Sequence, residues 1–327
     1  MPAAPSPRIL SIAALCILQS QACTRPQPSP AAPQVTPVST APEAAPSAAP
    51  SPAPAPGEEA RRSARERLEA THEGVGGRLG VMVADTGTGI ELAYHADERF
   101  PMCSTFKLLL AAAVLTRVER GEEKLDRVLR WRKKDLLAHS PITEQHVATG
   151  LTVEALCAAA VSVSDNTAAN SLLDTLGGPA GLTGYIRGWG DAETRLDRNE
   201  PTLNSALPDD PRDTTTPAAM LRTVRSLLLG SALSEDSRQR LLSWLRESTT
   251  GTTKVRAGLP SDWSAGDKTG MCANGATNDV AVLWPPDGKP ILVAAYSVDS
   301  PASEEERNGV LAAVGRVVVG MREGSGN

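Results

Sequence analysis

The sequence has no basic stripe and very few histidines, and these two absences exclude several classes of function. It contains 33 Lys and Arg against 38 Asp and Glu, which gives a formal net charge of −5, and both signs are spread along the chain. Nucleic-acid-binding domains concentrate positive charge on one face, so we expect no nucleic-acid partner. The four histidines, at positions 72, 95, 139 and 146, do not have the spacing of a zinc site. We therefore expect neither a metal ion nor another cofactor.

The first apolar run of the sequence is too short to span a bilayer. It covers residues 9–18, whereas a membrane-spanning helix needs about 20 apolar residues. One arginine before the run and small residues after it are typical of a secretory signal peptide, predicted over residues 1–22. Two processing routes stay open: cleavage near Ala22 releases a free protein, and lipidation of Cys23 gives a lipoprotein. Ser20 stands where lipoprotein signals usually carry Leu. Either route predicts a periplasmic protein.

Residues 23–57 predict a disordered linker. They are almost entirely Pro, Ala, Ser, Thr and Gln, a composition that cannot bury enough apolar surface to offset its ordering entropy. The prolines keep such a segment extended, which suits a stalk between a membrane tether at Cys23 and a folded domain. A secreted tail without a role is the alternative. The folded domain is expected over residues 58–327, as a monomer.

The remaining pattern places strands near both ends of the domain and helices in its middle. Alternating or continuous apolar segments predict strands at 78–85, 90–94, 263–270, 279–284 and 291–298. Helical periodicity with capping residues predicts helices at 59–73, 106–120, 152–161, 166–176, 216–229, 234–246 and 303–321. This order predicts an α/β fold with an antiparallel sheet, flanking terminal helices and an inserted all-α lobe. A site is expected in the cleft between the two lobes.

Two short motifs in the helical region combine groups that suit acyl transfer. Ser104 and Lys107 stand three residues apart at the start of the most apolar helix, so they share a helical face. A desolvated lysine there can accept the proton of a serine nucleophile. Ser164, Asp165 and Asn166 lie between two helices and can direct a hydroxyl and an amide into a cleft. Each motif also has an ordinary structural explanation, because all these small polar residues are good helix caps.

A third motif, Lys268, Thr269 and Gly270, lies on a predicted strand near the C-terminus. Lys268 offers a cation for a carboxylate, Thr269 adds a hydroxyl, and Gly270 would allow a ligand backbone to approach closely. An edge strand protected by a lysine is the structural alternative.

In this order, Ser-x-x-Lys, Ser-Asp-Asn and Lys-Thr-Gly are the signature of class A β-lactamases and penicillin-binding proteins. The chain resembles that superfamily from about residue 58 to its C-terminus. The segment around Glu200, Leu203 and Asn204 resembles the Glu-x-x-Leu-Asn element of class A β-lactamases. A penicillin-binding protein lacks this second base and stays acylated, whereas Glu200, with Asn204 sharing its water, would release the acyl group.

The resemblance implies a mechanism in which Ser104 attacks the lactam carbonyl. The proton of Ser104 would go to Lys107 directly or to Glu200 through a water, and both routes stay open. Ser164 would relay a proton to the departing ring nitrogen. The backbone N–H groups of Ser104 and Met271 would bind the oxyanion. Glu200 would then activate a water that hydrolyses the acyl-enzyme.

The resemblance also implies the residues that contact the substrate. They are His139, Asn166, Asn204, Lys268, Thr269, Gly270 and Met271. Lys268 and Thr269, together with Ser164, would hold the substrate carboxylate. Asn166 would bind the acylamide side chain, and His139 occupies the place of an aromatic wall residue.

Cysteines and one charged pair complete the implied architecture. Cys103 precedes the nucleophile and Cys272 follows the third motif, and a disulfide between them is the mark of the class A carbapenemase branch, which the chain resembles. Two reduced, buried thiols are the alternative, although an exported protein meets an oxidising compartment. Cys157 has no partner and is expected in a helix core. Arg198 and Asp213 resemble the structural ion pair that closes the family's omega loop.

Two departures from the family pattern bear on the substrate range. Many carbapenemases carry Thr or Ser directly after Lys-Thr-Gly, whereas this chain has Met271. The family's arginine near the substrate carboxylate is also missing, with Thr277 at one expected position and Lys254 at the other. Lys254 could supply the charge without the bidentate geometry of arginine. The substrate is expected to be a β-lactam, and turnover of carbapenems stays open.

Three rival functions follow from the same residues. A D-alanyl-D-alanine peptidase or an esterase would use the same scaffold without needing Glu200. A β-lactam sensor on a lipid stalk would acylate once and stop. A purely structural domain would leave the four matched motifs unexplained.

Overall fold

The computed structural model describes residues 57–286 and 288–324. The predicted signal peptide at 1–22, the linker up to residue 56 and the tether at Cys23 lie outside the described residues. Within those ranges, no helix combines the length and the apolar character that crossing a bilayer requires.

The strands form one five-stranded sheet and two short ladders. In chain order, the described strands are β1 (Arg78–Asp85), β2 (Glu91–Tyr94), β3 (Phe100–Pro101), β4 (Val128–Leu129), β5 (Leu151–Thr152), β6 (Thr214–Thr215), β7 (Ser264–Cys272), β8 (Ala276–Trp284) and β9 (Ile291–Val298). The main sheet has the order β2-β1-β9-β8-β7, and all its neighbouring strands are antiparallel. The sheet therefore joins the start of the domain to its end, and β7 is an edge strand.

Helices cover both faces of this sheet. The described α-helices are α1 (Glu58–Glu73), α2 (Phe106–Glu119), α3 (Val153–Ser162), α4 (Asn166–Thr175), α5 (Pro179–Gly188), α6 (Pro217–Leu228), α7 (Glu235–Arg246) and α8 (Glu304–Glu323). The terminal helices α1 and α8 share one core with alternate residues of β1, such as Leu79 and Val81. The opposite face of the sheet packs against the helices from the middle of the chain. The predicted α/β fold with an inserted all-α lobe is confirmed.

Helix α2 is the centre of the all-α lobe. Every residue from Phe106 to Thr116 is buried, because the helix is apolar on all sides and must be covered on all sides. Lys107 is a charged residue within this buried stretch. Because Lys107 lies on this core helix, its amine is buried at the base of the cleft.

One helix is missing from the sequence prediction. Gly177-Gly178-Pro179 follows the helix predicted over 166–176, and α5 begins at this proline. Proline fits the first turn of a helix, since its fixed φ is already helical and the N–H it lacks has no intrahelical partner there. Four of the ten residues of α5 are glycine or proline, which conceals its helical periodicity.

Candidate active site

The three motifs converge on one cavity of about 300 Å³ between the lobes. The lining residues are Ser104, His139, Ser164, Asn166, Asn204, Thr250, Lys254, Thr269, Gly270 and Met271. Lys107 and Glu200 lie directly beneath it, and neither side chain is exposed to solvent. The cavity thus has a polar lining above a buried ion pair.

Ser104, Lys107 and Glu200 meet at a single carboxylate oxygen. The Ser104 hydroxyl donates a 3.4 Å hydrogen bond to Glu200 Oε1, and Lys107 Nζ lies 3.1 Å from the same oxygen. Helical spacing predicts direct contact between Ser104 and Lys107. Among the described residues, however, no hydrogen bond joins these two side chains, and Glu200 links them instead.

Burial controls the charge of Lys107. Its ammonium donates to the backbone carbonyl of Ser164 at 2.8 Å and to Asn166 Oδ1 at 2.5 Å. Desolvation lowers the pKa of Lys107, and the neighbouring Glu200 carboxylate offsets part of that effect. A lowered pKa makes this amine a better proton acceptor near neutral pH.

The Ser164 hydroxyl lies between two buried lysines. Lys268 Nζ donates to Ser164 Oγ at 3.1 Å, and Lys107 Nζ lies 3.3 Å from the same oxygen. Burial, followed by repulsion from Lys107, lowers the pKa of Lys268 to about 7. Ser164 can therefore pass a proton between either lysine and a group in the cavity.

The backbone around Ser164 is fixed by Asp165. Ser164 has a left-handed φ of 62°, which turns its side chain into the cavity. Asp165 caps α4 by accepting from the backbone N–H of Ala168 at 2.8 Å and also accepts the Thr143 hydroxyl. For Asp165, the helix-cap interpretation is therefore right. Asn166, the first residue of α4, donates to the backbone carbonyl of Ala138 at 2.9 Å.

His139 forms an exposed part of the cavity wall. Its φ is 57°, and its Nε2 lies 3.0 Å from the backbone carbonyl of Val163. This contact orients the imidazole as a wall of the cavity. Within the described ranges, no cluster of His, Cys, Asp and Glu could hold a metal ion.

Glu200 is held by two asparagines. Asn204 Nδ2 donates to Glu200 Oε2 at 2.5 Å. Asn170 donates to the Glu200 carbonyl at 2.9 Å and accepts from the Glu200 N–H at 3.0 Å. Asn170 belongs to none of the sequence motifs, although its place one helical turn after Asn166 on α4 is a signal that could have indicated it.

An ion pair closes the segment that contains Glu200. Arg198 Nε lies 2.5 Å from Asp213 Oδ2, and the other carboxylate oxygen of Asp213 accepts the backbone N–H groups of Asp197 and Arg198. Arg198 also donates to the Ser205 hydroxyl at 2.8 Å. These contacts join both ends of the loop, so they fix Glu200 without touching the cavity.

Gly270 lines the cavity and also packs closely against the turn that presents Ser104. A Cβ at this position would lie 2.8 Å from the Met102 carbonyl and 3.2 Å from the Ser104 backbone nitrogen. Gly270 also lines the cavity, so the approach of a ligand backbone to it stays a prediction. Its lack of a side chain lets β7 pack against the turn that presents Ser104.

A disulfide fixes the same contact. Cys103, in the 3₁₀ turn before α2, is bonded to Cys272 at the end of β7, with a Cα–Cα distance of 5.7 Å. The disulfide implied by the family resemblance is therefore present, and the two thiols are not free. Met271, between Gly270 and Cys272, is 39% exposed at the rim of the cavity. Cys157 is a free, buried cysteine in α3, as expected.

Two residues on the segment before β7 extend the site beyond the motifs. Thr269 Oγ1 donates to Thr250 Oγ1 at 2.6 Å, and Thr250 belongs to none of the sequence motifs. Lys254 also lines the cavity, whereas Thr277 is fully buried and accepts from Arg307 at 3.3 Å. Of the two positions considered for the missing arginine, Lys254 is the one at the site.

Comparisons with known proteins agree with this geometry. A family model described as the Beta-lactamase enzyme family matches residues 62–321. β-Lactamase Toho-1 of Escherichia coli is 46% identical over 256 residues, which are 78% of this chain and 88% of that protein. β-Lactamase AST-1 of Nocardia asteroides is 50% identical over 244 residues, 75% of this chain and 79% of that protein. A solved class A β-lactamase of the last common ancestor of Gram-negative bacteria is 58% identical, with a TM-score of 0.77 over 78% of this chain and 98% of that one.

The matched region contains the three motifs, the segment of Glu200 and the disulfide. Fold, cavity and sequence identity therefore point to one family. The chain belongs to the class A β-lactamases.

Proposed function

We propose that the protein hydrolyses β-lactams through an acyl-enzyme on Ser104. The observation that carries the proposal is the meeting of the Ser104 hydroxyl and the Lys107 ammonium at Glu200 Oε1. A nucleophile, an amine and a carboxylate at one point provide both a base for attack and a base for release.

In acylation, Ser104 Oγ bonds to the lactam carbonyl carbon. Its proton passes either to Lys107, whose pKa burial lowers, or to Glu200, which its hydroxyl already contacts, and both routes stay open. The backbone N–H groups of Ser104 and Met271 bind the oxyanion, an arrangement that typically stabilises the transition state by about 3–4 kcal/mol. The carbon–nitrogen bond then breaks, and Ser164 delivers a proton to the ring nitrogen. Lys107, which contacts both Glu200 and Ser164, returns the Ser104 proton to Ser164, so that Glu200 is ionised again before deacylation.

In deacylation, Glu200 removes a proton from a water that attacks the ester carbon. The carbon–oxygen bond to Ser104 breaks, Ser104 recovers a proton, and the product leaves with an opened ring. Asn204, bonded to Glu200 Oε2, shares this water. A penicillin-binding protein would stop before this step.

Binding of the substrate carboxylate uses the groups at the β7 edge of the cavity. Lys268, Thr269 and Ser164 hold it, and Lys254 adds a second cation. Asn166 binds the acylamide side chain. These contacts suit small anionic molecules with an amide beside the reactive carbonyl, which describes penicillins and cephalosporins.

The proposed substrate range also includes carbapenems. The disulfide between Cys103 and Cys272 supports their inclusion. Met271 places a thioether where a hydroxyl would help to bind the carboxylate, so we expect slower turnover of carbapenems than of penicillins. We also propose that the enzyme is an exported, periplasmic monomer, either free or tethered by lipid at Cys23.

A steady-state panel tests this function. The purified protein is assayed with nitrocefin, benzylpenicillin, a cephalosporin and imipenem, beside a Ser104→Ala control. Continuous hydrolysis that depends on Ser104 supports the proposal. One equivalent of nitrocefin consumed without further turnover would identify a sensor or a penicillin-binding protein instead.

A further inference from the structure

The segment over residues 250–258, here called the Lys254 segment, reaches the cavity with Thr250 and Lys254. The Lys254 N–H bonds to the Gly251 carbonyl at 3.0 Å, and a 3₁₀ turn follows at Val255–Gly258. The segment has no strand or long helix of its own. Its position must therefore come from contacts with the sheet and with α8.

Two buried aspartates of the sheet hold this segment. Arg256 donates to Asp267 Oδ2 through Nε at 2.9 Å and Nη2 at 2.6 Å. Gly251 lies so close to Asp267 that a Cβ there would be 2.3 Å from its carboxylate. Asp267 thus fixes the segment on both sides of Lys254.

Asp279 fixes the middle of the segment. It lies on β8 directly opposite Thr269 of β7, and its Oδ2 accepts the backbone N–H of Val255 at 3.2 Å. The carboxyl is fully buried, and its Oδ1 has no hydrogen-bond partner in the described part of the chain. Burying such a group is costly, so the one bond that it makes is a strong constraint on the Val255 backbone.

Lys254 directly precedes Val255, and its ammonium is the group of this segment that can bind a ligand. Within the described residues, its ammonium makes no hydrogen bond and no ion pair. Burial lowers the pKa of Lys254 and raises the pKa of Asp279, and both effects disfavour a charge pair between them. The cation therefore has a place at the cavity but no side-chain contact that keeps it there.

We propose that Asp279 is a positioning residue for Lys254: by accepting the Val255 N–H, it holds the backbone that presents the Lys254 ammonium to the substrate carboxylate. This inference rests on the proposed role of Lys254 in binding that carboxylate. The essential property of Asp279 is its acceptor oxygen, since Lys254 and Asp279 form no direct ion pair.

Two substitutions separate the acceptor from the charge. Asp279→Val keeps a side chain of similar size in the strand but removes the acceptor, and it should raise KM for benzylpenicillin about tenfold while kcat stays within about twofold. Asp279→Asn keeps an acceptor for Val255 and should leave KM within about twofold. Lys254→Met should raise KM as Asp279→Val does, and the double variant should add little, because both changes remove the same interaction.

A matched control comes from the far side of the sheet. Asp85 on β1 is also buried and also accepts backbone N–H groups, but it lies away from the cavity. Asp85→Val should therefore lower the thermal midpoint without raising KM. The proposal would be overturned if the KM increases of Asp279→Val and Lys254→Met multiplied in the double variant. It would also be overturned if Asp279→Asn raised KM as much as Asp279→Val.

Hydrogen exchange gives a readout that does not need turnover. The Val255 amide should exchange as slowly as strand amides in the wild type and in Asp279→Asn, even if Asp279→Val does not fold. Fast exchange of Val255 overturns the role of Asp279. If the Val255 amide exchanges slowly but Lys254→Met leaves KM unchanged, only the proposed binding of the substrate carboxylate by Lys254 is overturned.

Discussion

Asn170 binds Glu200 through both polar groups of the Glu200 backbone. The asparagine amide donates to the carbonyl at 2.9 Å and accepts from the N–H at 3.0 Å, as a neighbouring strand would. Asn170 lies on α4, whose first residue, Asn166, lines the cavity. One rigid helix therefore orients both a substrate-contacting amide and the loop that supplies the deacylating base.

Removing this contact should slow deacylation more than it weakens binding. Asn170→Ala releases the Glu200 backbone, and a misplacement of about 1 Å at a catalytic group can cost about 100-fold in rate. We expect kcat for benzylpenicillin to fall between about tenfold and 100-fold and acyl-enzyme to accumulate. Quenched-flow mass spectrometry measures the acylated fraction. Ser171→Ala, which removes only a bond to the Thr167 carbonyl on the same helix, is the matched control. Equal losses in both variants would contradict this role.

The helices and strands were largely predictable because their signals are local. Short apolar runs located β1 and β9, and capping residues such as Ser234 and Ser303 located the starts of α7 and α8. Helix α5 was missed because its glycines conceal the helical pattern. Periodicity reports burial along one segment, and it fails where a segment has few side chains to bury.

The site was predictable only where its residues belong to a short motif. Asn170 and Thr250 act through partners 30 and 19 residues away, and no local pattern encodes such distances. The same limit explains Gly270, whose close neighbour is the distant turn of Ser104. The link between Ser104 and Lys107 through Glu200 likewise depends on how the loop folds back over α2.

The disulfide should stabilise the enzyme and keep Ser104 in register with β7. It closes a loop of 169 residues, and native disulfides typically contribute about 2–5 kcal/mol. Replacing both Cys103 and Cys272 by alanine should lower the free energy of unfolding by about that amount and should also reduce kcat. Urea unfolding in a Cys157→Ala background, which removes the free thiol, measures the effect. An unchanged free energy of unfolding would contradict this prediction and would show that packing at Gly270 holds the turn to β7 without the disulfide.

Adding one methyl group to Gly270 should displace the nucleophile. The Cβ of Gly270→Ala would overlap the Met102 carbonyl and press on the Ser104 backbone, both of which belong to a packed turn. We expect kcat/KM to fall about 100-fold with little change in KM. Gly184→Ala on α5, where a Cβ meets no atom within 4 Å, is the control and should keep full activity. Full activity of Gly270→Ala would mean that the turn shifts without cost.

Lys268 predicts how substrate affinity depends on pH. Its pKa of about 7 means that it is protonated below pH 7 and neutral above, so that the cation for the substrate carboxylate is lost as the pH rises. KM for benzylpenicillin should be flat below pH 7 and should rise above it, by up to about tenfold per pH unit. The methyl ester of the same penicillin, which has no carboxylate charge, should not show this rise. A KM that stays flat to pH 9, or a rise shared by the ester, would contradict the assignment.

The account depends most on Glu200 as the base that releases the acyl group from Ser104. The direct test is intact-protein mass spectrometry of Glu200→Gln mixed with benzylpenicillin, because glutamine keeps the shape of the side chain and cannot accept the water's proton. We predict a stable adduct of one penicillin on Ser104, because Lys107 can still accept the Ser104 proton, and a kcat reduced by about 100-fold to 10,000-fold. Normal turnover with no accumulated adduct would contradict the account.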